Sequence, residues 1–72
     1  MSEREGPPSE AERLAPSLVG LAEADAVGRV QDAGLQPQVI PSDASAITMD
    51  FRERRIRLFL DDGGHVARAT AG

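Results

Sequence analysis

The stretch from Arg55 to Asp61 alternates between two characters, and this constrains the fold more than any other feature of the chain. Successive side chains of a strand point to opposite faces, so Ile56, Leu58 and Leu60 fall on one side and Arg55, Arg57 and Phe59 on the other. One face therefore demands a core, and the other carries two guanidinium groups two residues apart. Asp61-Asp62-Gly63-Gly64 is a strong turn signal, after which Val66 to Ala71 can return as a hairpin partner.

The core for that face has to come from upstream. Leu18-Val19-Gly20 leads into Leu21 to Gly34, where Ala26, Val27, Val30 and Ala33 share one face at helical spacing. Glu23 and Asp25 sit in the first turn, where the dipole favours them, and Gly34 supplies a stop, which predicts a helix from Glu23 to Ala33. Ala22, at the cap position, has no side-chain acceptor and Gly28 lies mid-helix; each weakens the helix by about 1 kcal/mol, so packing must hold it. Leu35 to Ile40 can form a strand, with Pro37 placed early enough for an edge. The order implies an α+β domain with one amphipathic helix packed on a small sheet.

A chain of 72 residues holds one small domain at most, and without cysteine it has no disulfide to reinforce it. The missing cysteines fit a reducing compartment or a scaffold that needs no cross-link. Residues 1–16 carry Glu3, Glu5, Glu10 and Glu12, the pair Pro7-Pro8 and few large apolar groups, so a disordered acidic tail is expected there, with the folded domain at 17–72. The start has neither the basic residues nor the apolar run of a signal peptide, which leaves the compartment open: secreted if a leader has been removed, otherwise cytoplasmic.

Between the two strands, Pro41 to Arg52 has turn formers, small residues and no periodicity. A connection of about a dozen such residues is long for so small a domain, and loops of that kind are usually functional or disordered. Ile47-Thr48-Met49-Asp50-Phe51-Arg52 reads as an exposed segment offering one unbranched apolar side chain, Met49. All eight basic residues are arginine, and Arg52, Arg54, Arg55 and Arg57 fall within six positions. A guanidinium at Arg55 or Arg57 can reach the carboxylate of Asp50 and the carbonyls near Thr48 with planar, bidentate geometry. Such a brace stiffens a loop where no disulfide can.

Thr48-Met49-Asp50-Phe51-Arg52 followed by Arg55-Ile56-Arg57-Leu58-Phe59-Leu60-Asp61 resembles the reactive-site loop and supporting strand of the potato inhibitor I family of serine protease inhibitors. The resemblance runs from about Pro16 to Gly72. It implies a helix on a small mixed sheet, no disulfides, and a long exposed reactive loop. It also implies a reversible, substrate-like inhibitor of subtilisin- or chymotrypsin-like proteases, acting as a monomer, with the scissile bond between Met49 and Asp50. By the same resemblance Ala46 and Ile47 add contacts on the acyl side and Phe51 and Arg52 on the leaving side. Thr48 and Asp50 are then the acceptors braced by Arg55 and Arg57, with Gly72 close to those arginines. The chain departs from the family pattern at Ala15, where a tryptophan is common, and at Ala22, where a serine or threonine cap is common. It also has one residue more between Pro41 and Thr48 and one fewer between Asp61 and Gly72 than plant members.

Other functions find less support. Pro16-Ser17-Leu18-Val19-Gly20, the helix and Ala33-Gly34-Leu35 are also similar to PASTA domains of bacterial cell-wall enzymes, a resemblance that stops near Ile40; an inhibitor fold with an inactive loop is a further alternative. No serine has a histidine and an acid at a recognisable spacing, so no enzyme is expected. His65 is the single histidine and no metal or other cofactor is expected. A net charge of -4 argues against nucleic acid, and no apolar run is long enough for a membrane helix.

Overall fold

A computed structural model describes residues 10–44 and 52–72. Along the described residues run a short helix α1 (Glu10–Leu14), a 3-10 turn (Ala15–Leu18), helix α2 (Glu23–Asp32) and strands β1 (Gln36–Ile40), β2 (Arg55–Leu60) and β3 (Val66–Ala71). The sheet has the order β1-β2-β3, with β1 parallel and β3 antiparallel to β2, so it is mixed. The α+β class follows as expected from the alternating strand, with α1 as an element beyond the expected single helix.

Ile56 and Leu58 from the apolar face of β2 are fully buried and meet Leu18, Ala26, Val30, Leu35 and Val66 in one core. Val27, Ala33, Val39, Leu60, Ala69 and Ala71 close around it. Complete burial of side chains of this size is worth about 1.5–3 kcal/mol each, so the two from the central strand matter to a domain this small.

The expectation of a disordered tail as far as Pro16 is corrected from Glu10 onward. Ala11 is 1% exposed and belongs to the core, and Ala15 is 5% exposed. Alanines set among glutamates and prolines give no apolar signal in the sequence, but their small faces let α1 and the 3-10 turn approach β3 closely. Pro16 costs nothing in the first turn of the 3-10 segment, where its absent N–H has no partner to lose, and Ser17 Oγ donates to the Leu14 carbonyl at 2.7 Å.

The uncapped start of α2 is satisfied from elsewhere in the chain. Ala22 makes no side-chain cap, but the Glu23 N–H donates to the Gly64 carbonyl at 3.1 Å. Beside it, Gly20 N–H donates to Val66 O at 2.7 Å and Val66 N–H to Leu21 O at 2.8 Å, with Ala22 and His65 bridged between them. A main-chain ribbon thus replaces the expected hydroxyl cap. At the other end, Leu35 N–H reaches Val30 O at 3.0 Å and Gly34 N–H reaches Gln31 O at 2.9 Å. This is a Schellman closure, which needs the positive φ of 76° that Gly34 adopts.

Asp61 organises the turn before β3. Its Oδ1 accepts the N–H groups of Gly63 at 2.9 Å and His65 at 3.0 Å, while its own N–H donates to His65 O at 2.8 Å. The His65 N–H, foremost, holds the carboxyl below its ordinary 3.8 against the opposing desolvation, with the Gly63 N–H and the charge of His65 adding to the lowering. A lowered folded-state pKa contributes stability that is complete above the unfolded value and fades as pH falls through the folded one. Asp61→Asn should therefore melt below the parent at neutral pH, with the gap closing as pH drops beneath 3.8. Thermal melts of both proteins from neutral pH down to about pH 2 check this, and a gap of constant width would contradict it.

Candidate functional site

The polar face of β2 carries the arginine pair, and its two members are held differently. Arg55 is 9% exposed, and its Nε donates to the Gly72 carbonyl at 2.9 Å. The Gly72 N–H in turn donates to the Arg55 carbonyl at 2.8 Å. Gly72 is buried with φ 127°, a conformation that side chains rarely adopt, so this clasp suits a glycine. A solvated Arg55 and Arg57 pair, worth ~0 to 1 kcal/mol, is what the sequence leads one to expect. The structure corrects that for Arg55, which is a buried, hydrogen-bonded cation.

Arg57 is half-buried, and its Nε donates to Gln38 Oε1 at 3.1 Å. Gln38 faces Arg57 directly in the parallel register, as Gln36 faces Arg55. Sequence reasoning missed Gln38. The signal was present, because Gln36 and Gln38 repeat the two-residue step of Arg55 and Arg57 on the neighbouring strand. Further along β2, Arg68 from β3 stacks over the Phe59 ring at 4.2 Å from its centroid.

Parallel pairing decides where the long connection begins and ends. Gln36 lies opposite Arg55 and Ile40 opposite Phe59, so the chain leaves β1 at one end of the pair and re-enters β2 at the other. Those ends stand about 13 Å apart at the usual rise per residue. On the exit side Ala44 N–H donates to Pro41 O at 3.1 Å; on the return side Arg55 N–H donates to Arg52 O at 3.3 Å. Arg52 is exposed at this return stem. Ala46, Ile47, Thr48, Met49, Asp50 and Phe51 lie outside the described residues, and with them the expected bonds from Arg55 and Arg57 to Asp50 and Thr48.

Among the described residues no group of three histidine, cysteine or acidic side chains gathers to hold a metal, and no helix is long and apolar enough to cross a membrane. The described site offers guanidinium groups and a clasped Gly72 beside a long connection, which suits presentation of a segment better than chemistry on a substrate.

A model of the potato inhibitor I family matches residues 15–69. The chain belongs to the potato inhibitor I family. Its members are serine protease inhibitors, so the chain is an inhibitor of that class and not an enzyme. The crystal structure of bitter gourd trypsin inhibitor superposes with a TM-score of 0.69 at 31% sequence identity, covering 99% of this chain and 100% of that one. No curated protein sequence matches. The family match continues well past Ile40, where the similarity to PASTA domains ends, and through the arginine-bearing strand. The wall-binding alternative is therefore set aside.

Proposed function

We infer that the chain is a reversible, substrate-like inhibitor of subtilisin- or chymotrypsin-like proteases, with Met49 in the primary specificity pocket and the reactive bond between Met49 and Asp50. The observation that carries this reading is the arginine pair on the polar face of β2, immediately after the connection, with Arg55 buried and clasped to Gly72. A protease cleft binds an extended segment. A loop already held in that shape loses little entropy on binding, which is how such an inhibitor becomes tight.

Thr48 and Asp50 serve as acceptors for the guanidinium groups, Ala46 and Ile47 add substrate-like contacts before the bond, and Phe51 and Arg52 add them after it. Bitter gourd trypsin inhibitor is named for a protease whose pocket requires a cation. Met49 has none. Its unbranched apolar side chain favours a deep hydrophobic pocket instead.

Titration of subtilisin and of chymotrypsin with the purified chain tests the reading, with stoichiometric inhibition of at least one expected. Absence of inhibition at micromolar concentration would leave an inhibitor fold with an inactive loop. The brace gives a second expected result. Arg57→Ala should be cleaved faster by the target, by roughly tenfold if a charge-assisted bond worth about 1.5 kcal/mol is lost, while its circular dichroism remains that of the parent. Equal cleavage rates for variant and parent would refute the role of Arg57.

A further inference from the structure

The geometry points to Arg54 as a third positioning residue for the reactive loop, one that ties the segment after the reactive bond to the turn that ends the helix. It rests on the assignment of the bond between Met49 and Asp50. Arg54 lies one residue before β2, in the turn that leads into it. Its Nη2 donates to the Gly34 carbonyl at 3.0 Å, and its own carbonyl accepts the Gln36 N–H at 2.7 Å. Side chain and main chain of one residue thus grip the turn between α2 and β1 at two points.

The turn is built to receive it. Gly34, just past the C-cap of α2, turns the chain with a positive φ, and a guanidinium beside this end of the helix meets the negative end of its dipole. A Cβ placed on Gly34 would stand 3.4 Å from Arg54 Nη2, an ordinary van der Waals contact, so glycine is called for here by its positive φ and not by space. The sequence shows Arg54 only as one of four clustered arginines, because its partner lies twenty residues away.

The mechanism gives this tether its use. When the protease serine takes the Met49 acyl group, Asp50 leaves as a free amine. Reversal requires that amine to attack the acyl ester, re-forming the peptide bond and returning the hydroxyl to the serine. The rate of reversal depends on how closely the amine is held to the ester, the effective-concentration advantage of an intramolecular partner. Asp50 to Arg54 is the short run that must not wander. On the proposed reading Arg55 and Arg57 act on it from β2, while Arg54 anchors its base at the turn after α2. Since Arg54 is exposed, this contact adds little to global stability.

The test compares parent, Arg54→Ala, Arg54→Lys and the exposed-neighbour control Glu53→Ala. Each is incubated with substoichiometric amounts of whichever protease the parent inhibits, cleavage after residue 49 is followed by mass, and thermal midpoints are recorded. Arg54→Ala should be cleaved roughly fivefold faster with a midpoint within a few degrees of the parent. Arg54→Lys should recover part of the resistance, and Glu53→Ala should behave as the parent. Val30→Ala, a destabilised core variant, shows how much cleavage rises from lost stability alone; Arg54→Ala must exceed that trend. If Arg54→Ala does not fold, Arg54→Gln takes its place. A resistant parent with an equally resistant Arg54→Ala overturns the role of Arg54 and leaves the inhibitor reading standing, whereas a parent that inhibits neither subtilisin nor chymotrypsin overturns both.

Discussion

Met49→Lys is expected to lose roughly a hundredfold in affinity for chymotrypsin-like proteases and to gain inhibition of trypsin-like ones, because one anchor side chain in the pocket dominates such an interface. Burying an ammonium in an apolar pocket without a partner costs several kcal/mol, while a pocket with an acidic base rewards the same group. The change touches none of the described core, so thermal stability should stay with the parent. Inhibition constants of both proteins against chymotrypsin and trypsin provide the check. A ratio that does not move would mean that the pocket reads a different side chain and that the reactive bond has been misplaced.

Arg55→Ala should be the most damaging substitution on the polar face of β2. It removes a buried charge-assisted bond to the Gly72 carbonyl and leaves that buried oxygen without its donor. Loss of such a bond costs about 2–3 kcal/mol, which in a domain of this size lowers the melting temperature by roughly 10–20 °C. Arg55→Lys should fall between, since an ammonium keeps the charge and loses the planar fork. Arg57→Ala, half-exposed, should lower the midpoint far less. If the two alanine variants melt together, the burial of Arg55 has no energetic weight.

The contrast between the two arginines shows what the sequence can and cannot convey. Alternation in Arg55 to Leu60 was legible because burial on one face of a strand writes itself as period two. The helix from Glu23 and the turn at Asp61 to Gly64 were legible for similarly local reasons. Arg55 and Arg57 look identical in sequence; they differ because Arg55 donates to Gly72, seventeen residues on, and is buried, while Arg57 donates to Gln38 and is half-exposed. Ala22 looked like a missing cap because Gly64, the acceptor that replaces it, lies on a different element. Ala11 looked like tail because one methyl group becomes core only when a strand is brought against it. The family was recognisable from Thr48-Met49-Asp50 joined to the arginines, whereas the Gly34 partner of Arg54 depends on where the helix ends and the pairing of Gln38 with Arg57 on strand register, which the two-residue step of the glutamines hints at but does not fix.

The main-chain ribbon between residues 20–23 and 64–66 bears on how the molecule opens. Helix α2 begins on a carbonyl supplied by the turn before β3, so its first turn is complete only after the hairpin has formed. A helix of ten residues with a glycine inside it is too short to persist alone in water. Helix and hairpin are therefore expected to form and melt together in a single transition. For a serine protease inhibitor, such all-or-none melting would deny the enzyme an unwound helix to digest.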